Sequence, residues 1–151
     1  MKRRKAREFA LQILFQLDIR KEKPTATLLK RFWTEFDPDD EVRAFTEEIV
    51  TGTYKHQRTI NAKILACAKN WTLERMAVID RNVLRMAVYE ILYRSDIPPS
   101  VTINEAISLS RSLGATSPGH LSTAFSTVLP ARPARWTRRT FADRQGAPEW
   151  F

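Results

Sequence analysis

The sequence predicts an all-α protein made of two small helical bundles, and three observations carry that prediction. Apolar residues recur at helical spacing over most of the 151 residues. Several of these segments are preceded by residues that favour helix starts. No stretch alternates apolar and polar residues as a strand would, and no internal repeat occurs. The length suits one domain or two small ones. We place the first bundle at residues 1–70, the second at 71–130 and a disordered tail at 131–151.

The first bundle is predicted to contain three helical segments. Residues 4–19 carry one apolar stripe, and a shorter helix follows Pro24 in the segment TATLLKRFWTEF. The third segment has Asp37 as the predicted N-cap and Pro38 at its first helical position. A break near Gly52 is expected, after which Ile60, Ile64 and Leu65 continue the apolar face.

The second bundle begins with Thr72 as a plausible cap, and the strongest helix of the chain opens at Asp80 and Arg81. Pro98 and Pro99 are expected to end that helix. Thr102 and Glu105, three residues apart, form a capping-box pattern for a last helix that reaches about residue 113.

Charge is the first indication of function, because the formal net charge is +8 and five of the first seven residues are basic. Such a patch favours polyanionic partners such as RNA. The basic start continues into a patterned helix, so it is not a secretory signal, and no apolar run approaches the length of a membrane span. The single cysteine, Cys67, favours a reducing cytoplasm and is interpreted as a core residue.

Residues that could support catalysis or cofactor binding are sparse. Four glycines form neither a dinucleotide fingerprint nor a P-loop. His56 and His120 have no metal-ligand spacing with Cys67. The sequence therefore predicts no metal, no cofactor and no enzymatic activity.

Three segments together resemble the NusB family of bacterial transcription antitermination factors. They are RRKAREFALQILFQLD, FTEEIVTGTYKH and NWTLERMAVIDRNVLRMAVYEILYRSDIPPSVTINEAISL, in that order, and the resemblance spans residues 3 to about 113. The third segment is the most specific, since an Asp-Arg pair enters an LR-A-YE-L helix that is followed by D-I-P and INEA.

The resemblance implies two helical subdomains, binding to the single-stranded leader element boxA, and partnership with the small-subunit ribosomal protein NusE on elongating RNA polymerase. It implies RNA contacts by residues of the basic start and of the strongest helix: Lys2, Arg3, Arg4, Lys5, Arg7, Asp80 and Arg81. It implies protein-partner contacts at the far end of that helix: Glu90, Tyr93, Arg94, Ser95 and Asp96. A homodimer is also compatible with the sequence.

Each of these assignments has a simpler alternative. The basic start could be a solvated segment, Asp80 could support a helix N-terminus, and Tyr93 could cover an edge of the core. Trp33 and Trp71 could stack on bases, although anchoring of helix junctions is the preferred interpretation. Two other functions stay open: a protein-interaction module without RNA specificity, and the accessory domain of a ribosomal RNA cytosine methyltransferase.

The segment from about residue 114 departs from the family pattern. Family members usually close with a helix of the type D-S-G-x-F-V-N-G-V-L-D, whereas this chain has ATSPGHLSTAFSTV. The genetic code permits DESGTFVNGILDR from Ala115 onward in a shifted reading frame. We therefore predict that the tail is an out-of-frame translation, the alternative being a natural, divergent basic tail.

Overall fold

The structure is a computed structural model that describes residues 1–67 and 72–113. In these two ranges the backbone forms six α-helices and no strand, which confirms the predicted fold class. The helices are α1 (Lys2–Arg20), α2 (Ala26–Trp33), α3 (Asp40–Lys55), α4 (Gln57–Cys67), α5 (Val78–Tyr93) and α6 (Pro99–Ser112), with a 3₁₀ turn at Leu73–Arg75. The predictions for the tail, for Trp71 and for the side chain of Cys67 lie outside the described part.

Helices α1 and α5 begin two residues earlier than predicted, at Lys2 and Val78, and the starts of α3 and α6 also differ from the prediction. The cap of α3 is Asp39, whose carboxylate accepts a hydrogen bond from the Val42 amide at 3.1 Å, so the helix begins two residues after Pro38. The last helix begins at Pro99, where a proline fits the first turn because that amide has no helical partner. Thr102 therefore lies inside α6 and is not a cap.

The expected break near Gly52 is also displaced. Helix α3 continues through Gly52 to Lys55, and the chain turns at His56 before α4. The glycine is needed for packing, because a Cβ at position 52 would overlap the ring of Tyr89 on α5. The sequence signal was therefore a close helix–helix approach rather than a helix end.

Helices α1, α3 and α5 pack against one another, and α5 also contacts α4 and α6. Ion pairs join Arg7 to Glu90 and Asp18 to Arg81, so α1 and α5 run in opposite directions. All six helices contribute to one hydrophobic cluster, with members such as Ile13, Phe32, Ile49, Ile64, Leu84 and Leu109. The division of the chain near residue 70 stays a prediction.

An aromatic cluster fixes α2 on α1. The ring of Phe9 lies edge-on to those of Phe32 and Trp33, at centroid distances of 5.9 and 5.5 Å. Trp33 is buried and its indole Nε1 donates a hydrogen bond to Glu47 at 2.7 Å. This is the anchoring role preferred from the sequence, and burying each such ring stabilises the fold by roughly 1.5–3 kcal/mol.

Candidate functional site

The basic start of the chain forms an exposed cationic surface on the first turns of α1. The side chains of Lys2, Arg3, Arg4 and Lys5 are between 44% and 57% exposed. Each lies near a carboxylate: Lys2 is 2.9 Å from Glu41, for example, and hydrogen bonding to that carboxylate raises the pKa of Lys2. Exposed ion pairs contribute little to stability, so a phosphate can replace these partners.

Arg7, the fifth basic residue of the predicted patch, is in the interior instead. Its guanidinium donates two hydrogen bonds to the Glu90 carboxylate, at 2.7 and 3.0 Å. Thr102 donates a third to the same carboxylate at 2.9 Å. The side chains of Arg7 and Glu90 are only 6% and 1% exposed. Direct phosphate contact by Arg7 and direct partner contact by Glu90 do not fit this placement, and we assign both residues a supporting role below the surface.

The loop between α5 and α6 lies next to the basic start. Arg94 donates two hydrogen bonds to Asp96, at 2.8 and 2.9 Å, and its guanidinium is also 2.6 Å from Glu48. Arg3 reaches the same Asp96 at 3.5 Å. Hydrogen bonding to Arg94 lowers the pKa of Asp96 to about 2, and that contact in turn raises the pKa of Arg94. The structure thus joins part of the predicted RNA set to part of the predicted partner set.

The ring of Phe45 contacts both the basic start of α1 and the α5–α6 loop. The guanidinium carbons of Arg3 and Arg94 lie 5.3 and 5.1 Å from its centroid, within the range of cation–π attraction. Phe45 belongs to the apolar stripe of α3, so the sequence pattern indicated only a core residue. Its second role depends on two cations that are remote in sequence.

Tyr93 and Ser95 complete the predicted partner set. Tyr93 is half-buried and stacks on His56, with centroids 4.0 Å apart and planes inclined by 17°. This contact favours the interpretation of Tyr93 as an edge of the core. Ser95 is exposed, as is Asp96.

Asp80 and Arg81 lie at the opposite end of α5 from Arg94. Arg81 and the C-cap Arg94 are thirteen residue steps apart along α5, which is about 20 Å along the helix axis. Asp80 is buried, and the Arg81 side chain is 13% exposed and hydrogen bonded to Asp18. The structure therefore does not bring this pair to the basic start with which it was grouped.

Sequence reasoning missed the cluster around Asp18. This carboxylate accepts hydrogen bonds from Asn82 at 2.9 Å and from Arg85 at 3.2 Å, besides the one from Arg81. Burial raises the pKa of Asp18, but the hydrogen bonds from Arg81 and Asn82 outweigh it, so the pKa is lowered overall. In the sequence, the only sign of this cluster was that a carboxylate, Asp18, directly follows Leu17 of the apolar stripe.

Within residues 1–67 and 72–113, none of the helices is both long and apolar enough to cross a membrane. The same residues contain no group of three or more His, Cys, Asp or Glu side chains placed to hold a metal ion.

The fold and this surface define a small all-α protein with a cationic face at the start of α1 and adjoining side chains from the α5–α6 loop. The chain belongs to the NusB family: the family's sequence model matches residues 4–122. The transcription antitermination protein NusB of Anaeromyxobacter sp. (strain Fw109-5) is 48% identical over 120 residues, covering 79% of this chain and 82% of that protein. NusB of Desulforamulus reducens is 45% identical over 114 residues, covering 76% and 79%.

Solved structures share this fold. NusB of T. maritima superposes with a TM-score of 0.73 at 29% identity, covering 83% of this chain and 89% of that one. A crystal structure of the antitermination factors NusB and NusE in complex with dsRNA contains a chain with a TM-score of 0.75. At 22% identity, covering 87% of this chain and 98% of the other, that likeness concerns the fold.

Proposed function

We propose that this chain is an RNA-binding adaptor that binds a boxA-type leader RNA together with NusE and joins elongating RNA polymerase during ribosomal RNA synthesis. It acts in the cytoplasm, by binding rather than by catalysis. Family membership supports the antitermination role, and the solved complex of relatives with NusE and RNA supports the two kinds of partner.

The observation that carries the RNA-binding part is the exposed basic start of α1. Lys2, Arg3, Arg4 and Lys5 surround a helix N-terminus, where free backbone N–H groups and the helix dipole also favour phosphate. The carboxylates paired with Lys2 and Arg3 are exposed and Glu8 is half-buried, so these ion pairs are screened by water and a phosphate can replace the carboxylates at little cost. This face can therefore hold a flexible polyanion.

The contact between Arg3 and Asp96 supports a joint binding surface. Because the α5–α6 loop adjoins the basic start, a protein bound at Arg94, Ser95 and Asp96 would lie beside RNA bound at Arg3. A protein partner bound at the α5–α6 loop would extend the surface that binds RNA, and it would raise RNA affinity in this way. Asp80 is buried and Arg81 is held by Asp18, so this pair, about 20 Å away, lies outside the joint surface.

Fluorescence anisotropy tests this proposal with a labelled boxA-type RNA and a scrambled RNA of the same composition. Each is titrated with and without NusE. We expect the chain to prefer boxA, and NusE to increase that preference. Equal binding of both RNAs with NusE still bound would indicate the interaction module without RNA specificity. Binding of S-adenosylmethionine, tested by calorimetry, would instead favour the methyltransferase accessory role.

A further inference from the structure

A groove of about 820 Å³ separates the start of α1 from the loop that joins α2 to α3. One bank is predominantly basic: it carries Lys2, Arg4 and Lys5 of α1, together with Glu8, which pairs with Arg4 and Lys5. The other bank carries Glu35, Asp37 and Asp39. The groove is thus charged oppositely on its two sides, and its volume lies in the range that holds a small organic ligand.

Aromatic rings form the floor between the banks. Phe36 is half-buried and packs against Phe9 and Phe32, with ring centroids 5.1 and 4.9 Å apart. The Lys5 ammonium lies 5.0 Å from the Phe9 centroid. A flat ligand could therefore stack on a supported ring while its anionic part lies on the basic bank.

The acidic bank contains carboxylates in two situations. Asp39 is already used, since it caps α3 and lies 3.2 Å from Lys2. The side chains of Glu35 and Asp37 are exposed and make no hydrogen bond or ion pair with the rest of the described chain. At neutral pH a carboxylate only accepts hydrogen bonds, so this bank suits a ligand edge rich in donors.

We propose that this groove is a subsite for one unstacked guanine of the single-stranded RNA, with Phe36 as the stacking surface and Asp37 as the acceptor. The proposal rests on the RNA-binding function proposed above. Phosphates would follow the basic bank of α1, because the acidic bank repels them, and the base would then point across the groove. Bases of single-stranded RNA are commonly read in this way, by stacking and by hydrogen bonds to their Watson–Crick edges.

Guanine fits the acidic bank better than the other bases for a simple reason. Its N1–H and N2 amino group are adjacent donors on one edge, which matches the two oxygens of a carboxylate. On adenine, cytosine and uracil each donor of that edge stands beside an acceptor, which a carboxylate repels. The expected preference is thus for guanine over every other base.

The test uses uridine 12-mers that carry one central guanosine, inosine or adenosine, measured by anisotropy at a fixed salt concentration. Inosine lacks only the N2 amino group. We expect the full chain to bind the guanosine RNA about tenfold more tightly than the adenosine RNA, with inosine between them. Asp37→Asn should abolish the preference. The matched control Asp40→Asn removes an exposed carboxylate outside the groove and should retain it.

Phe36→Leu provides an independent variant, because leucine keeps an apolar floor and removes the stacking surface. It should weaken binding of all three RNAs at least fivefold with an unchanged circular dichroism spectrum. Equal, salt-dependent affinities of the unaltered chain for all three RNAs would overturn the guanine subsite and leave the proposed function standing. If none of these RNAs and no boxA RNA bound, both proposals would fail. Loss of NusE binding in Phe36→Leu, with RNA binding intact, would make the groove a protein-docking site and overturn the subsite.

Discussion

Replacing Arg7 by methionine tests the interior ion pair that underlies the cationic face. Methionine keeps most of the apolar length of arginine, so the change chiefly removes the charge and its two hydrogen bonds to Glu90. That carboxylate is 1% exposed and would be left with the Thr102 hydroxyl. Removing one partner of a buried pair costs about 3–5 kcal/mol, because the other charge is left without compensation.

Urea unfolding followed by far-ultraviolet circular dichroism measures this cost. With a slope of about 2 kcal/mol per molar urea, the midpoint should fall by roughly 2 M. The matched control is Arg4→Met, since Arg4 is an exposed arginine of the same helix, and it should shift the midpoint little. The double variant Arg7→Met/Glu90→Leu removes both charges and should recover most of the loss.

A milder variant covers the case in which Arg7→Met does not fold. Thr102→Val removes one hydrogen bond to a charged group without changing the shape of the side chain, and should cost about 1.5–3 kcal/mol. Equal midpoints for Arg7→Met and Arg4→Met, or a double variant no more stable than Arg7→Met, would refute the stabilising role of this buried ion pair.

Two further predictions concern packing and pH. Gly52→Ala should destabilise the fold by about 1–3 kcal/mol, since the new methyl group overlaps the Tyr89 ring. In a Tyr89→Ala background, where that overlap is removed, the same change should instead stabilise α3 by up to about 1 kcal/mol. A gain of stability from Gly52→Ala in the original background would contradict the described packing of Gly52 against Tyr89. Because Arg94 lowers the pKa of Asp96 from 3.8 to about 2, the charged Asp96 stabilises the fold above the unfolded-state value, and this contribution is lost as the pH falls through the folded-state value. The difference in melting temperature between the unaltered chain and Asp96→Asn should therefore shrink between about pH 4 and pH 2, and a constant difference would count against the pairing.

Local patterns predicted the helices well and their starts less well. The apolar stripes located α1, α2, α3 and α5, because a helix must bury one face whatever its partner is. Helix starts depend on which of several suitable residues has its side chain near a free amide. Asp37 and Asp39 both fit the N-cap preference, and in the folded chain the Asp39 carboxylate is the one that accepts the Val42 amide.

The sequence predicted only the part of the candidate site that lies within a single helix. Four basic residues in the first turns of one helix give a cationic surface under almost any packing. The burial of Arg7 depends on Glu90, which is 83 residues away, and no spacing rule contains that information. The same limit explains why Asp96 was grouped apart from Arg3 although the fold places them 3.5 Å apart.

The salt dependence of boxA binding tests the central claim most directly. With Arg7 buried, four basic side chains remain for phosphates, so log affinity against log salt should have a slope of about −2.8 for single-stranded RNA. Arg4→Met/Lys5→Met should halve that slope to about −1.4, because two of the four phosphate contacts are removed. A slope near zero, or one that the double variant leaves unchanged, would contradict the assignment of RNA binding to the start of α1.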